Sequence, residues 1–219
     1  MPTYSSNNGR NSIIFTSSSV FIAPPNVSLV YVTIVGGGGG GSTLSGSEPA
    51  RGGGGGAAII AAPFYLGAAE VVPITIGAGG QSDLAPGENG GTTFFGSYIY
   101  AEGGYGTGEG GGILGYPGKS PGAGADSQIV SSQSIISGEL RYTGYMVGCA
   151  GGDASINIAG SVLSPDGQST INVGGLTTAG SGASLFGVGV DGDGNGKGYG
   201  AGGAGNGSGS SGICIISWD

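Results

Sequence analysis

The residues of this chain that could do chemistry are few, and one short segment spaces several of them regularly. Asp191-Gly192-Asp193-Gly194-Asn195-Gly196 alternates oxygen-bearing side chains with glycine, as the opening of a calcium-binding loop does. The twelfth position from Asp191 is Gly202 rather than the glutamate that closes such a loop. The segment therefore fails as a helix-loop-helix calcium site. A turn cluster of Asp, Asn and Gly is the expectation, with a weak ion site as the alternative.

Histidine is missing from all 219 residues. Its absence excludes Ser-His-Asp and Cys-His nucleophilic sites, and it excludes histidine-ligated metals. A glycosidase would need two carboxyl groups about 5–10 Å apart, but the 13 acidic residues are spread singly along the sequence. We therefore predict a protein that is not an enzyme and that needs no metal or other cofactor.

The two cysteines, Cys149 and Cys214, are too few to form a disulfide framework. Their spacing in the sequence does not decide whether they pair. Two small buried thiols and a single disulfide bond both remain open.

Tyrosine and arginine provide the candidate binding chemistry, because both combine contact area with directional hydrogen bonds. Several of them lie in glycine-rich or polar segments that strand packing does not explain, and we expect these segments to be loops that contact a partner. The candidate binding residues are Tyr105, Leu114, Tyr116, Arg141, Tyr142 and Tyr145. The alternative is that the tyrosines cover the sides of a glycine core that has no side chains of its own.

The charge balance excludes some partners. The net charge is −8, and the five basic residues are scattered at positions 10, 51, 119, 141 and 197. Nucleic acid and anionic membrane surfaces both need clustered Lys or Arg, so neither is expected as a partner. The first ten residues lack the pattern of a secretory signal, and no stretch of about 18 apolar residues is present. We therefore expect synthesis in the cytoplasm without a signal peptide and no membrane insertion.

The elements that must position these residues are dominated by glycine, which makes up 56 of the 219 residues. Residues 36–41 are six consecutive glycines, and residues 52–56 are five more. Such a composition is usually a sign of disorder. Disordered chains, however, are poor in hydrophobic residues and rich in charge, whereas this chain is 37% hydrophobic and 8% charged. The composition therefore favours a folded chain.

Short apolar runs predict strands, and no long window has helical spacing. Within the run 27–35, residues 29–35 are apolar on both alternating faces, which is typical of a strand covered on two sides. Pro73 predicts an edge strand or a bulge, and the last segment is expected to pair with the strand near residue 30. The fold class is all-β with little or no α-helix, and the predicted strand regions are residues 12–16, 19–23, 27–35, 71–76, 92–101 and 213–218.

The glycine runs need a separate explanation, because glycine offers no side chain for packing in a pleated sheet. Polyglycine can form a threefold extended helix of the polyproline II type, and without Cβ atoms such helices approach closely enough to exchange hydrogen bonds. We expect a short-stranded β-sandwich that continues into packed polyglycine-II helices. The alternative is that the runs are flexible linkers.

The order in which apolar strands are followed or preceded by glycine runs resembles that of a known family. Five segments carry the resemblance: Phe21-Ile22-Ala23-Pro24-Pro25-Asn26-Val27, Val30-Tyr31-Val32-Thr33-Ile34-Val35 before the first glycine run, Ile74-Thr75-Ile76-Gly77-Ala78-Gly79-Gly80, Gly90-Gly91-Thr92-Thr93-Phe94-Phe95-Gly96 and Gly212-Ile213-Cys214-Ile215-Ile216-Ser217-Trp218. In this order they are similar to the glycine-rich domain at the ends of bacteriophage tail fibres. The resemblance covers most of the chain from about residue 20 and departs near residues 127–147 and 155–173. It also extends to the T-even-type tail-fibre tip adhesins, whose stacked polyglycine-II helices present loops to a bacterial receptor.

The resemblance implies a virion protein of the tail fibre or tail tip that acts as a non-enzymatic, receptor-binding adhesin in host attachment. Its implied partners are other tail-fibre or baseplate proteins and a bacterial surface protein or glycan, with a homotrimer or a monomeric cap as alternatives. Residues 1–20 would form an N-terminal arm that could dock on another virion protein, and residues 21–219 would form one domain. A structural decoration or fibre-capping protein that never touches the host is the second hypothesis.

Overall fold

The structure is a computed structural model, and it describes residues 2–7, 10–42, 52–82, 87–106, 129–136, 139–146, 170–173, 176–179, 182, 184–188, 194–204 and 207–219. No helix occurs among these residues, which confirms the all-β prediction. The strands are β1 (Thr3–Asn7), β2 (Arg10–Phe15), β3 (Ser19–Ile22), β4 (Leu29–Val35), β5 (Ala58–Tyr65), β6 (Val71–Thr75), β7 (Thr93–Phe95), β8 (Ile99–Ala101), β9 (Ile129–Ile136), β10 (Glu139–Met146), β11 (Thr170–Val173), β12 (Leu176–Ala179), β13 (Phe186–Val188), β14 (Lys197–Tyr199) and β15 (Ile213–Trp218).

Two antiparallel sheets make up the larger part of the fold. A seven-stranded sheet has the order β1-β2-β15-β4-β5-β10-β9, and a four-stranded sheet has the order β3-β6-β7-β8. Two separate hairpins, β11–β12 and β13–β14, complete the described strands. The last strand, β15, lies between β2 and β4, where Ser217 is opposite Tyr31. This register confirms that the terminal segment pairs with the strand near residue 30.

The N-terminal residues lie within this fold. β1 pairs with β2, and β2 pairs with β15 inside the seven-stranded sheet. Ile13 and Phe15 on β2 are buried in the core. The segment therefore orders against its own sheet, and its docking role stays a prediction.

The core lies between the two sheets, whose inward side chains form one cluster. Alternation along the strands explains it, since Val30, Val32 and Ile34 of β4 point to the same side as one another. Phe95 of the four-stranded sheet is fully buried, and its ring centroid lies 5.7 Å from that of Phe64 on the opposite sheet. The sheets therefore form a sandwich whose cohesion comes from apolar side chains.

The outer face of the seven-stranded sheet is also covered near its centre. Val35, Ala58 and Ile213 form a second buried cluster, against which Leu185 and Tyr199 pack. Val35 follows Ile34 in the chain, so the two buried residues lie on opposite faces of β4. The prediction that this strand is covered on two sides is confirmed.

The prediction that Pro73 marks an edge strand or a bulge is wrong, because β6 lies between β3 and β7 in regular register. In an antiparallel strand, the N–H and C=O positions of one residue face the same neighbour. The Pro73 carbonyl accepts the N–H of Gly96 at 2.8 Å, and β7 has already ended at Phe95. The missing N–H of Pro73 therefore faces a turn, so no ladder bond is lost.

A β-bulge lies between β4 and β5, where the register shifts between Val32 and Ile34. The bulge places Ala61 at a φ of 51°, and its N–H donates to the Thr33 hydroxyl at 2.9 Å. The hydroxyl replaces the backbone acceptor that the bulge removes. β5 itself was not among the predicted strands, because Ala-Ile-Ile-Ala-Ala-Pro has neither alternation nor a strong strand propensity.

Glycine-rich runs continue from the strands at one end of the sandwich. We call the following set the glycine bundle: residues 36–41, 52–57, 76–81, 87–92, 102–106, 200–204 and 207–212. Runs that follow β4, β6 and β8 leave the sandwich, and runs that precede β5, β7 and β15 return to it. Because neighbouring strands are antiparallel, these junctions lie at the same end. The run 200–204 follows β14 of a separate hairpin, and the Gly200 N–H donates to Ser211 of a returning run at 2.9 Å.

Residues 36–41 occupy the centre of the glycine bundle. Their N–H groups donate to three other runs, and residues three apart donate to the same run. The bonds, each 2.9 Å long, are Gly36 to Ala57, Gly37 to Gly91, Gly38 to Ser210, Gly39 to Gly54, Gly40 to Glu88 and Gly41 to Gly207. The central run also accepts bonds from three further runs, through the N–H groups of Gly104, Gly80 and Gly203. Within the described part of the chain, six runs therefore surround it.

Contact this close requires glycine. A Cβ on Gly38 would lie less than 3.0 Å from backbone atoms of Ala201 and Gly202, and one on Gly40 would meet the backbone of Gly80 and Gln81 equally closely. Backbone atoms cannot rotate away as a side chain can. The bundle therefore excludes even one methyl group at these positions.

The glycine runs also join the two sheets. Packed sheets lie about 10 Å apart, whereas hydrogen-bonded strands lie about 4.8 Å apart. Gly37 follows a strand of the seven-stranded sheet, and its N–H donates to Gly91, which precedes a strand of the four-stranded sheet. Where the inward side chains end, chains from the two sheets therefore come within hydrogen-bonding distance.

Candidate functional site

The end of the glycine bundle away from the sandwich is where the chain repeatedly turns back. We call it the far end. Outgoing runs reach it at Ser42, Ser82, Gly106 and Ala204, and returning runs leave it at Gly52, Gly87 and Gly207. The connecting residues 43–51, 83–86 and 205–206 lie outside the described residues. Parts of the chain that are distant in sequence thus come together at one end of the bundle.

Hydrogen bonds hold these run ends side by side. The Gly41 N–H donates to the Gly207 carbonyl, and the Gly40 N–H donates to the Glu88 carbonyl, both at 2.9 Å. A Cβ on Gly106 would meet the backbone of Gly87 and Glu88. The ends of the runs are therefore fixed relative to one another by backbone contacts.

Amide side chains complete the far end by binding backbone N–H groups near the ends of the runs. Asn89 Oδ1 accepts the N–H of Gly106, and Asn195 Oδ1 accepts the N–H of Ser208, both at 2.9 Å. Gln81 Oε1 accepts the Ser208 hydroxyl at 3.3 Å. Asn89, Asn195 and Gln81 are exposed, so they both cap the bundle and form its surface.

Sequence reasoning missed these amides as binding candidates because it concentrated on tyrosine and arginine. The available signal was their position: Asn89 stands next to Gly90 and Asn195 lies between two glycines, where a glycine run begins or ends. Asn side chains often bind nearby backbone groups at such places. The same chemistry equips them for hydrogen bonds to a hydroxyl-rich or peptide ligand.

Tyr105 is the predicted candidate that lies near the far end. It is half-buried on the run 102–106, and its carbonyl accepts the N–H of Gly54 at 2.9 Å. Leu114 and Tyr116 lie outside the described residues.

The other three candidates, Arg141, Tyr142 and Tyr145, lie on β10 rather than in a loop, so the loop prediction is wrong for them. β10 extends the seven-stranded sheet beyond β5, with Tyr145 opposite Ile59. Tyr105 instead pairs with Gly54, which is five residues, or about 15 Å of extended chain, from Ile59. The structure therefore does not bring Tyr105 together with the candidates on β10.

Two surface groups with shifted pKa values, Glu70 and Tyr98, lie at the end of the sandwich opposite to the glycine bundle. Glu70 accepts a hydrogen bond from the Tyr98 hydroxyl and another from the Gly67 N–H at 2.7 Å. The bond from Tyr98, followed by that from Gly67, lowers the pKa of Glu70. The bond to Glu70 raises the pKa of Tyr98. This hydrogen-bonded pair stabilises a turn and is distant from the far end of the glycine bundle.

Cys214 is a free thiol in the sandwich core, and burial raises its pKa to about 12. It is therefore held in the unreactive thiol form. Cys149, Asp191 and Asp193 lie outside the described residues. Among the residues that the structure describes, no group of three or more Cys, Asp or Glu side chains could hold a metal ion. No helix in the same part of the chain is long and apolar enough to cross a membrane.

Comparison with known proteins identifies a family. The model of a family described as a glycine-rich domain matches residues 15–219. No curated protein matches the chain. The family match spans both the sandwich and the glycine bundle.

Proposed function

Since this chain belongs to the family of glycine-rich domains, we propose that it is a bacteriophage virion protein of the tail fibre or tail tip and a non-enzymatic, receptor-binding adhesin. The sandwich and the glycine bundle act as a scaffold. The far end of the bundle contacts a protein or glycan on the bacterial surface. A tail-fibre or baseplate protein carries the domain.

The observation that carries this proposal is the meeting of several chain reversals at the far end. Binding sites are often built from connections that a rigid scaffold positions. Here the runs that end at Gly41, Gly106 and Gly207 are held by backbone hydrogen bonds.

The rigidity of the scaffold is part of the proposal. We infer that the runs are polyglycine-II helices, because a threefold helix turns each successive N–H by about 120° and returns to the same neighbour every third residue. The donors of the central run follow that period: Gly36 and Gly39 reach one run, and Gly37 and Gly40 reach another. A chain bonded to six neighbours has little freedom to bend.

The chemistry available at the far end favours a polar receptor surface. Gln81, Asn89 and Asn195 are exposed and can both donate and accept hydrogen bonds. Tyr105 adds a half-buried aromatic ring nearby. Such a surface suits sugar hydroxyls or the exposed loops of a surface protein, and recognition would not depend on a cluster of charge.

Adsorption tests the proposal. Virions that carry Gln81→Lys at the far end are compared with virions that carry Asn26→Lys in an exposed turn at the other end of the sandwich. Both variants replace a neutral amide by lysine at an exposed position. We expect adsorption to host cells to fall at least about tenfold for Gln81→Lys and to stay unchanged for Asn26→Lys. Equal adsorption of both variants at equal incorporation would contradict a receptor contact at the far end.

The location of the chain in the intact particle provides a second test. A free position at the distal end of a fibre or tail, with the far end of the bundle pointing outwards, is expected for an adhesin. A position enclosed between other subunits would refute that role and would instead indicate a decoration or fibre-capping protein.

A further inference from the structure

The outward face of the four-stranded sheet is apolar and open. Alternation along its strands sends Phe21, Val72 and Phe95 into the core, so their neighbours point outwards. We call the apolar members of the outward set the open face, and they are Val20, Ile22, Val71, Pro73, Phe94 and Tyr100; Thr75 of β6 is a polar residue on the same side.

The register groups these side chains in pairs on neighbouring strands, and Thr75 of β6 lies opposite Phe94 between the two groups. Ile22 is opposite Val71, and Val20 is opposite Pro73 on the adjoining strand. Phe94 is opposite Tyr100, and their rings are stacked with centroids 5.7 Å apart. Ile22 and Val71 are each 62% exposed, which is unusual for aliphatic side chains in neighbouring strand positions.

The open face carries no charge, because β3, β6, β7 and β8 contain no Asp, Glu, Lys or Arg. The whole chain has a net charge of −8. Two copies would repel each other through most orientations, but contact through this face buries no like charges. The absence of lysine and arginine also removes the attraction that an acidic partner or an anionic lipid would need.

The size of the open face also favours self-association. With side chains of roughly 100–250 Å² each, the exposed fractions leave on the order of 500 Å² of apolar surface. A stable dimer buries about 800 Å² on each partner, and weaker contacts bury less than about 600 Å². The area is therefore sufficient for a reversible dimer and too small for a permanent one.

We propose that the open face is the contact through which two copies of this chain form a reversible dimer. Two identical sheet faces can pack on each other across a twofold axis, so that the same face of each copy forms the interface. A ring of three copies would need two different complementary surfaces. The proposal therefore selects a dimer rather than a homotrimer.

Sedimentation velocity of the full chain over about 5–500 µM tests this proposal. The variants are Ile22→Lys on the open face and Tyr65→Lys, whose side chain is 63% exposed on β5 of the other sheet. Both place one lysine at a similarly exposed apolar position. Circular dichroism and the melting temperature verify that each variant is folded.

We expect the wild-type chain and Tyr65→Lys to shift from monomer to dimer with rising concentration, and Ile22→Lys to raise the dimer dissociation constant at least about tenfold. Raising the salt from 0.1 to 1 M should leave the dimer intact, since no ion pair supports it. A wild-type chain that stays monomeric throughout, a trimer, or a folded Ile22→Lys that dimerises like wild type would each overturn the proposal.

Discussion

The sandwich and the glycine bundle are built from the same strands but are held together in opposite ways. In the sandwich, large side chains such as Phe95 and Ile34 fill the space between the sheets. In the bundle, the same chains continue without side chains, and backbone groups of one run contact those of the next. One region is stabilised by apolar burial, and the other by hydrogen bonds between closely packed main chains.

This difference predicts opposite responses to mutation. Removing atoms leaves a cavity in the sandwich, whereas adding atoms forces backbones apart in the bundle. A glycine in the bundle therefore has the role that a large apolar residue has in an ordinary core. The following predictions test that contrast, beginning with the largest expected effect.

Adding a methyl group at the centre of the bundle should have the largest effect. In Gly38→Ala, the new Cβ would collide with backbone atoms of Ala201 and Gly202. We expect a loss of more than about 5 kcal/mol in the free energy of unfolding, enough to unfold a domain of ordinary stability. Chemical denaturation measures the loss.

The matched control is Gly67→Ala, where an added Cβ would meet only the Glu70 carboxylate, at an ordinary 3.4 Å. Its unfolding free energy should stay within about 0.5 kcal/mol of wild type. Similar stability for the two alanine variants would show that the runs are not closely packed.

Removing atoms from the sandwich should have the next largest effect. Phe95→Ala deletes a fully buried ring that contacts Phe21 and Phe64, and we expect a loss of about 3–5 kcal/mol. Phe94→Ala truncates the neighbouring ring, which is 40% exposed, so its loss should be below about 1 kcal/mol. If the Phe94 variant were as unstable as the Phe95 variant, the assignment of the two faces would be incorrect.

A smaller effect is expected at the bulge between β4 and β5. Thr33→Val removes the hydroxyl that accepts the Ala61 N–H and leaves that donor without its acceptor. We expect a loss of about 1–3 kcal/mol, as for other unsatisfied polar groups. Thr33→Ser keeps the hydroxyl and should restore most of the stability. Equal losses in both variants would assign the role of Thr33 to its methyl group instead.

The smallest effect is expected at Glu70, and it should depend on pH. Hydrogen bonds from Tyr98 and Gly67 lower the pKa of Glu70 below its usual 4.5. Its stabilising contribution is therefore present above about pH 4.5 and disappears as pH falls through the lowered pKa. Glu70→Gln should melt slightly below wild type at pH 7, and the two should converge once the pH is below the lowered pKa of Glu70. A difference that persists at low pH would contradict this origin.

Some of the fold could be predicted from the sequence because local patterns determine it. The two-sided apolar pattern of residues 27–35 predicted a strand covered on both faces, and β4 is such a strand. The pairing of the last segment with this strand also followed from its composition. β5 was missed because alanine and proline weaken its pattern, and tertiary pairing with β4 and β10 decides its conformation.

The candidate site was less predictable. Tyrosine and arginine in polar surroundings predict loop residues, but Arg141, Tyr142 and Tyr145 lie on β10, where pairing with β9 and β5 sets the conformation. The far end is assembled from run ends that are distant in sequence, such as Gly41 and Gly207. No local pattern specifies which glycine runs are neighbours, because glycines carry no side chains that would distinguish them.

Native-state hydrogen exchange of the backbone N–H groups of residues 36–41 tests the central claim most directly, and glycine-selective nitrogen labelling makes it measurable. Each of these N–H groups donates to a carbonyl of another run at 2.9 Å. We therefore predict that they exchange as slowly as the amides of Val32 and Ile34 in the sandwich core, with opening free energies close to that of global unfolding. Exchange at the rate of an unstructured peptide would show that the runs are flexible linkers and would contradict a scaffold made of packed glycine.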